Sequence, residues 1–439
     1  MLASVDDYIE AGLTHQIHTS ERMSRRGCRR RHAWVFRDMY YPKLTAKPLE
    51  FGIAYHRAMQ VLYDPVNRPD REDTEAAYAL ARVAFKQTCE EQRKTFISSF
   101  PERYTSEVDT DYAERVELGL GMLEFWRREV MPRYDHNFVP IKVEIPFEVA
   151  IGDLWCKCDI CWMRWRGSDH GVQHHDKWQV ELTQAYVDDG YDAEVARPYA
   201  TSDDYYRKLA WGGLPVTYGG RIDMLAQDTN GDYWIVDWKT TSRMTNAEPD
   251  VADEFMLLDD QITSYCWAMS VIGIPVKGFI YVEIKKGFPQ EPEPNKVQRL
   301  GRWFSVNKQQ VTTYEIYRRT VEENDPAAYG SGLYDEFLDW LKANATLESF
   351  VHRHQITRTP TELKNAGINI MHEAREIIDL TMPLYPSPGR YGCNFCAFRE
   401  PCVAKNRGED FEYTLESLFE KRNRHYWETA PSTTDKRYS

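Results

Sequence analysis

The stretch from Tyr218 to Thr241 indicates a β-hairpin around which the rest of the chain is expected to be arranged. The residues Asp228-Thr-Asn-Gly231 predict its turn, because an Asn-Gly pair tolerates the positive φ angles that tight hairpins need. On both sides of this turn the side chains are mainly aliphatic or aromatic, which is typical of strands. The pattern therefore predicts two neighbouring strands joined by a short turn.

Two acids interrupt this apolar pattern. Asp223 follows Gly-Arg-Ile, and Asp237 follows the run Trp-Ile-Val. Lys239 comes two residues after Asp237, and side chains two apart in a strand lie on the same face. A carboxylate pair with a lysine beside it suits the binding of a divalent metal and a water next to a phosphate. Taken singly, an Asp at a strand end is usually a turn or cap residue, and a nearby Lys is usually solvated.

Two predicted helices carry further polar candidates. In the helix predicted over residues 49–63, Gly52 and His56 are four apart and share one face. A single helical histidine is more often a structural residue than a ligand. In the helix that begins near Asp259, Gln261 and Tyr265 share one face in the same way, as they also would in an ordinary amphipathic helix.

The remaining pattern alternates helices with strands. On the strand predicted at 141–150, Glu144 could be an auxiliary acid, although a solvent-facing strand residue is the simpler interpretation. A further strand is predicted from Gly278. Helices are predicted from Arg25 to Tyr40, over 72–100 and 110–131, around 306–324 and 333–348, and over 361–380.

Charge and composition narrow the function classes. The net charge of −13 argues against a protein that coats nucleic acid, but it does not exclude a nuclease, whose metal site is acidic. Five arginines fall within residues 25–31, where they would contact phosphates or form a solvated helix face. No apolar run reaches the length of a membrane span, and the first residues do not resemble a signal peptide. We therefore expect a cytoplasmic protein without membrane contact.

The nine cysteines are not expected to form a disulfide framework. Cys393, Cys396 and Cys402 lie close together near the end of the chain, whereas Cys28 lies far upstream. A third group, formed by Cys156, Cys158 and Cys161, precedes several histidines. It indicates either a zinc site, on which a zinc-dependent binding module could be built, or packed thiols.

Taken together, these motifs resemble the RecB-like branch of the PD-(D/E)xK nuclease superfamily. The cysteines resemble the iron–sulfur staple of AddB-type and CRISPR-adaptation nucleases. The resemblance covers residues from about 28 to 402, and its order is more specific than any single motif. The motifs are, in order, Cys28, Gly52-x3-His56, Gly220-x2-Asp223, Asp237-x-Lys239, Gln261-x3-Tyr265, and Cys393-x2-Cys396-x5-Cys402.

The resemblance implies an α/β fold with a restriction-endonuclease-like core, in which helices flank a mixed central sheet. It implies one nuclease domain over 1–439 and a metal-dependent DNA nuclease, expected to be a single-strand-preferring exonuclease in recombination, repair or processing. A helicase or recombination protein is an expected partner. The parts within the domain are a helical N-terminal part (1–135), an insertion (151–217), a catalytic core (218–300) and an iron–sulfur segment (385–410).

The resemblance also implies roles for single residues. The predicted ligands of Mg²⁺ or Mn²⁺ are His56, Asp223, Asp237 and the backbone carbonyl of Trp238, with Lys239 as a further catalytic residue. Residues that position DNA would be Gln261, Tyr265, Arg29 and Arg30. A [4Fe–4S] cluster, or zinc as the alternative, would be held by Cys28, Cys393, Cys396 and Cys402. A non-catalytic DNA-binding or scaffold protein that retains the nuclease fold is the competing hypothesis.

Overall fold

The computed structural model describes residues 15–43, 47–68, 74–151, 216–244, 256–299, 301–378 and 383–421. Apart from its two ends, the insertion predicted at 151–217 lies outside the described residues, and so do Cys156, Cys158 and Cys161. The tail after Glu428 lies outside them as well.

Strands and helices alternate through the described residues, as the sequence pattern predicts for an α/β protein. The strands, numbered in chain order, are β1 (His15–Ile17), β2 (Tyr40–Pro42), β3 (Phe138–Ala150), β4 (Val216–Asp228), β5 (Tyr233–Thr241), β6 (Val276–Lys285), β7 (Pro294–Arg299), β8 (Arg302–Phe304), β9 (Val351–Thr357) and β10 (Phe419–Lys421). The helices are α1 (Thr19–Gly27), α2 (Arg29–His32), α3 (Lys47–Tyr63), α4 (Glu75–Ser99), α5 (Ser106–Phe125), α6 (Met131–Tyr134), α7 (Asp260–Val271), α8 (Tyr314–Asn324), α9 (Pro326–Gly330), α10 (Asp335–Asn344), α11 (Pro360–Ile378), α12 (Arg390–Asn394), α13 (Arg399–Arg407) and α14 (Phe411–Leu418).

Six strands form one mixed sheet in the order β1-β4-β5-β6-β9, with β3 paired to β4 beside this path. β3 runs antiparallel along nearly the whole of β4 and occupies one of its two edges. The second edge of β4 is therefore shared: β1 pairs with residues 216–218, and β5 pairs with residues 224–227. Between these two pairings, residues 219–223 border an opening in the sheet.

Helices cover both faces of this sheet. One face packs against α3, α4 and α5 through side chains such as Val236 and Trp238. The opposite face packs against α7 and α11 through side chains such as Ile235 and Phe279. Because successive strand residues point to opposite faces, burial on both sides explains the nearly continuous apolar run of β5. Asp237 is the acidic exception in that buried run, at 4% exposure.

The central hairpin is confirmed. β4 and β5 are antiparallel, and Gly231 in their turn has a φ of 86°, the left-handed region that glycine adopts without strain. Asp228 closes the turn, because its Oδ1 accepts the backbone N–H groups of Asn230 and Asp232 at 2.9 and 3.0 Å. The sequence pattern of this hairpin was therefore sufficient to predict both strands and the turn.

The continuous helix predicted from Arg25 to Tyr40 is wrong. α1 ends at Gly27, Cys28 has an extended backbone with φ −164° and ψ 113°, and α2 begins at Arg29. A π-helix then continues α2, and β2 pairs with β10 near the end of the chain. An amphipathic pattern does not reveal one extended residue between two helices, so the break was not predicted.

The first and last described segments pack together. Trp34 lies 5.5 Å from Phe398 between ring centroids, and both belong to a small buried cluster with Leu415 and Phe419. β2 and β10 add an antiparallel pair beside this cluster. The tertiary fold therefore brings the region of Cys28 to the C-terminal cysteines.

Candidate active site

The two hairpin acids lie where the pairing between β4 and β5 ends. The last pair joins Met224 to Val236, and in the same register Asp223 and Asp237 would come next. The strands separate at this point instead. The Asp223 carboxylate replaces the lost ladder contact, because its Oδ2 accepts the Trp238 backbone N–H at 3.2 Å. The end of the ladder thus places two acids beside the opening in the sheet.

Helix α3 brings His56 to the same place. Its Nδ1 lies 3.2 Å from Oδ2 of Asp223, and both side chains are mostly buried. The helix is held there by apolar residues of the same segment, including Tyr55 and Met59, which are fully buried against the sheet and α4. Two of the predicted metal ligands, from a helix and a strand, are therefore in contact.

Lys239 is paired with the second acid. Its Nζ donates to Oδ1 of Asp237 at 2.9 Å and lies 2.8 Å from Oδ2. The second approach does not have hydrogen-bond geometry, so the buried Oδ2 accepts no hydrogen bond from the described residues. The two residues share one face of β5, as their spacing predicts. Oδ2 of Asp237 is thus held by its charge attraction to Lys239 and not by a hydrogen bond.

Burial and charge act differently on the two acids. Burial and the nearby charge of Asp223 raise the pKa of Asp237 to about 6. Burial also raises the pKa of Asp223, but His56, Lys239 and the Trp238 N–H outweigh this effect and leave it lowered. The site therefore holds one carboxylate that ionises readily and one whose ionisation is opposed by its neighbour.

The two basic groups respond to the same acids. Burial lowers the pKa of His56, but the carboxylates of Asp223 and Asp237 outweigh it and leave the pKa raised. The pKa of Lys239 is raised in the same way, against the effect of its burial. Lys239 is therefore an ammonium ion at neutral pH, held beside a buried carboxylate.

The predicted positioning residues on α7 face this site. Asp259 caps the helix by accepting the Ile262 N–H at 3.0 Å, which fixes the start of α7 just before Gln261. Burial raises the pKa of Tyr265, and the charges of Asp237 and Asp223 add to the shift. The Gln261 side chain hydrogen-bonds this tyrosine, which keeps its proton at all ordinary pH values.

Gly220 in the predicted Gly-x2-Asp motif has a packing role. A Cβ atom at this position would lie 2.6 Å from the ring of Phe147 and 3.2 Å from the hydroxyl of Tyr265. Such distances are too short, so only glycine lets both aromatic side chains approach β4 here. The motif glycine thereby fixes the place of Tyr265 relative to Asp223.

Glu144, named as a possible auxiliary acid although a solvent-facing position was the simpler interpretation, lies beside Asp223. It lies between residues paired with Met224 and Ile222, directly opposite Asp223 in register. Burial and the charge of Asp223 raise the pKa of Glu144. Its backbone φ of 50° is unusual for a residue with a side chain. The alternation of β3 contains no signal for this, because the acid reaches the site through an irregular backbone.

A cleft of about 790 Å³ opens beside His56 and Lys239. Its walls come mainly from α3 and α4, and they include Glu144 and two aromatic residues, Phe96 and Phe100. The cleft provides access to the site from solvent. The aromatic residues were not singled out in the sequence, because nothing in a helical pattern indicates which side chains line a cleft.

Gly52 is not needed for a close approach of α3 to β5. A Cβ atom at this position would lie 3.5 Å from Oγ1 of Thr240, which is an ordinary van der Waals contact. α3 therefore passes the end of β5 at a distance that tolerates a side-chain carbon. Gly52 and His56 both line the cleft, as expected for two residues on one face of the helix.

The arginines predicted to contact DNA have partners within the chain. The guanidinium of Arg29 lies over the ring of Tyr385, 4.9 Å from its centroid. Arg30 Nη1 donates to Oδ1 of Asn406 at 2.7 Å and to Sγ of Cys402 at 3.3 Å. Both side chains therefore join the N-terminal helices to the C-terminal segment. A role in phosphate contact stays a prediction.

The four predicted cluster ligands come from two distant parts of the chain that the fold brings together. The Ser387 N–H donates to Cys28 Sγ at 3.5 Å. Burial raises the pKa of Cys396, and Cys28 and Cys393 are near enough to raise it further. Cys402 accepts a hydrogen bond from Arg30, two residues after Cys28, and it packs with Cys396 against the cluster of Trp34 and Phe398. None of the four forms a disulfide. Ligation of a cluster or zinc by these thiols stays a prediction.

The residues of the hairpin site fit a divalent metal. Two carboxylates on adjacent strands lie in a mostly buried place, and the charge of one opposes the ionisation of the other. The second oxygen of Asp237 accepts no hydrogen bond from the described part of the chain. Hard oxygen ligands of this kind suit Mg²⁺ or Mn²⁺, and a cation would relieve the repulsion between the acids. Ligation by the Trp238 carbonyl stays a prediction.

Comparison with protein families gives a match that covers most of the chain. The family model described as the PD-(D/E)XK nuclease superfamily matches residues 24–403. This range includes the hairpin, α3 and α7. It also includes the four predicted cluster ligands, Cys28, Cys393, Cys396 and Cys402. Comparison with curated proteins gave no match. In the described residues, no helix is both long and apolar enough to cross a membrane.

Proposed function

This chain belongs to the PD-(D/E)XK nuclease superfamily, a family of metal-dependent nucleases, and we propose that it is a single-strand-preferring DNA exonuclease acting in recombination, repair or processing. The observation that carries the proposal is the meeting of Asp223, Asp237, His56 and Lys239 where β4 and β5 separate. A carboxylate pair, a histidine and an ammonium group are the parts needed for phosphodiester hydrolysis.

Asp223, Asp237 and His56 would hold Mg²⁺ or Mn²⁺ in this proposal, and the Trp238 carbonyl would complete the ligand set. When bound, such an ion polarises a phosphate and supplies a water of lowered pKa. The ion pair with Asp237 holds Lys239 protonated at the edge of the cleft. Its ammonium group is then placed to orient the attacking water or to stabilise negative charge that develops on the phosphate.

Tyr265 and Gln261 would position the DNA strand or support the site. Because the pKa of Tyr265 is raised by burial and by the two acids, its hydroxyl keeps its proton. A phenol donates a hydrogen bond to a phosphate oxygen in that state. The T-shaped packing of this ring on Phe147, 5.1 Å between centroids, holds the hydroxyl in place. Gln261 adds a hydrogen bond from one turn earlier in α7.

The shape of the cleft supports a single-stranded substrate. Phe96 and Phe100 line it beside His56 and Lys239, and their rings lie 5.8 Å apart. Aromatic rings stack on unpaired bases without regard to sequence, whereas the bases of a duplex are already stacked on one another. One set of catalytic residues also cuts one strand at a time. The exonuclease mode, the pathway and a helicase or recombination partner remain parts of the proposal.

For Cys28, Cys393, Cys396 and Cys402 we propose a [4Fe–4S] cluster, with zinc as the alternative. Thiolates are the donors that suit either one. The role of the centre would be structural, because its ligands would join α1 and α2 to the C-terminal segment. Such a centre adds binding energy that the unfolded chain does not have.

The test is a cleavage assay with DNA labelled at one end, as single and double strands. Mg²⁺ or Mn²⁺ should support cleavage of the single strand at a higher rate, and EDTA should abolish it. Release of labelled mononucleotides or short fragments from one end, before internal products form, is the result expected of an exonuclease. Binding of DNA without any metal-dependent cleavage would support the scaffold hypothesis instead. Internal products at the earliest times would replace exonuclease action with endonuclease action.

A further inference from the structure

A second group of metal-binding side chains lies on the sheet, outside the residues assigned to the nuclease site. It consists of Glu283 on β6 and of His352 and His354 on β9. One ligand atom from each of the three lies within 4.8 Å of the other two. None of these three residues is assigned to the nuclease site.

The strand register explains why the three side chains meet. His352 and His354 are two apart on β9, so both point to the same face of the sheet. β6 and β9 are antiparallel, and Glu283 is paired with His352. Residues paired in this way have Cβ atoms about 5 Å apart, which allows their side chains to touch. The two imidazole rings lie 5.6 Å apart between centroids and are nearly perpendicular, at 85°.

Burial makes the carboxylate of this group unusual. Glu283 is only 4% exposed, although it is an acid in the middle of a sheet. A buried carboxylate is stabilised by neighbouring cations and hydrogen-bond donors, and a metal ion is one such cation. Nδ1 of His352 is also buried, and none of the described residues forms a hydrogen bond with it. The group therefore offers a carboxylate and a buried ring nitrogen, both of which can ligate a metal ion.

An entry path is present. His352 lines a cleft with Arg243, Lys285 and Glu348, so an ion can reach the histidine side of the group from solvent. Two imidazoles and one carboxylate form a ligand set that zinc uses when its fourth position is open, and that iron(II) also accepts. The two imidazole nitrogens and the single carboxylate make it less suited to Mg²⁺, which prefers oxygen ligands.

We propose that Glu283, His352 and His354 bind a divalent transition-metal ion of the zinc class, at a site separate from that of Asp223 and Asp237. β9 is the last strand of the sheet path, so the ion would fasten this edge strand to β6. The site is one strand away from the nuclease residues, because Glu283 is paired with Lys239 on its other side. Its ligands differ from those of the nuclease site, and their occupancy is expected to affect stability first.

The test counts zinc bound to the full-length protein. The protein is stripped with a chelator, dialysed against Zn²⁺ and analysed for metal. His352→Gln and His354→Gln should each bind one zinc fewer per chain than the unaltered protein. The matched control is His372→Gln, an exposed histidine of α11, which should bind the same number. Repeating the count in the Asp237→Ala background removes a contribution from the nuclease site, and the thiols contribute equally throughout.

A second readout distinguishes metal binding from a hydrogen-bonded group. Zn²⁺ should raise the midpoint of thermal unfolding of Asp237→Ala, because a ligand that binds only the folded state stabilises it. The rise should be absent when His354→Gln is added. If the histidine variants do not fold, Glu283→Gln keeps the shape of the side chain, removes its charge and one acceptor oxygen, and should bind zinc at least tenfold more weakly. Unchanged zinc content and an unchanged midpoint shift in these variants would overturn the proposal, whatever the outcome of the DNA cleavage assay.

Discussion

The nuclease site and the group of Cys28, Cys393, Cys396 and Cys402, which we call the cysteine junction, are built in opposite ways. Asp223, Asp237 and Lys239 belong to one hairpin, where the register of two strands sets their positions. The cysteines of the junction belong to the two ends of the described chain, from Cys28 to Cys402. They meet because α1, α2, β2 and the C-terminal helices pack on a common cluster. Local pairing positions one centre, and long-range packing positions the other.

Charge differs between the two regions as well. The hairpin site contains mutually compensating charges, and the ionisation of Asp237 is opposed by Asp223. The junction contains thiols, and burial raises the pKa of Cys396. We infer that substitutions at the hairpin change the chemistry while the fold persists. Substitutions at the junction should change stability first and reach the chemistry only through the fold.

The largest expected effect is on cleavage. Asp223→Asn keeps an acceptor for the Trp238 N–H but removes the charge, and Lys239→Ala removes the ammonium group. Each should slow metal-dependent cleavage by about a hundredfold or more, with an unchanged unfolding midpoint within a few degrees. Single-turnover cleavage rates and circular dichroism measure the two quantities. Asp232→Ala, at the turn of the same hairpin, is the matched control and should cut normally. Unfolded Asp223→Asn protein would show that the hairpin site is structural.

The next effect is on the cysteine junction. Cys28→Ser and Cys396→Ser should both bleach the broad visible absorbance of anaerobically purified protein and lower its unfolding midpoint by similar amounts. Cys89→Ala, at a buried thiol of α4 away from the junction, should keep the colour. A Cys28→Ser protein with full colour would remove Cys28 from the ligand set. Colourless protein with one zinc at the junction and no iron would replace the cluster by zinc.

A smaller effect concerns stability in the absence of divalent metal. The folded pKa of Asp237 is about 6, above its ordinary value of 3.8. The contribution of this group to stability is therefore fully present below about pH 4 and is lost as the pH rises through 6. At pH 8 the free energy of unfolding of Asp237→Asn should exceed that of the unaltered protein by about 1 to 3 kcal/mol. At pH 4 the two proteins should have similar free energies of unfolding.

Denaturant titrations at the two pH values measure this difference. Mg²⁺ should stabilise the unaltered protein at pH 8, because it binds only the folded state, and should not stabilise Asp237→Asn to the same extent. A variant that is less stable than the unaltered protein at pH 8 would show that the ion pair with Lys239 outweighs the repulsion from Asp223.

The smallest expected effect is at Gly52. Gly52→Ala adds a carbon that would lie 3.5 Å from Thr240 Oγ1, which is an ordinary contact, and alanine favours a helix over glycine by up to about 1 kcal/mol. Cleavage should stay within about twofold, and stability should rise slightly. Both are read from the same assays. A large loss of activity with normal folding would show that the cleft requires glycine at position 52, although the helix does not.

Much of the hairpin site was predictable, because its information is local. Residues two apart in a strand share a face, and an Asn-Gly turn fixes the pairing, so Asp237 and Lys239 could be placed together from sequence. The helix with His56 and the helix with Gln261 were also predicted. Their contact with the hairpin depended on the resemblance, because helical spacing alone does not identify the partner of a helix face.

The rest depended on tertiary structure. Glu144 alternates like a solvent-facing residue, and only its register with Asp223 and its irregular backbone place it at the site. β9 was not predicted. Its two histidines, His352 and His354, are two residues apart, which is the spacing of two ligands on one face of a strand. The break at Cys28 was missed because one extended residue leaves the amphipathic pattern of its neighbours intact.

Assignment of the metal site to the hairpin is tested by single-turnover cleavage of an end-labelled single strand by Asp237→Ala, beside the unaltered protein and with Mg²⁺ or Mn²⁺ saturating. Asp237 has the most buried carboxylate of the hairpin site, and its second oxygen accepts no hydrogen bond from the described residues. We expect a folded protein whose cleavage rate falls by about a hundredfold or more. A folded Asp237→Ala protein that cuts DNA as fast as the unaltered chain would contradict the assignment of the metal site to the hairpin.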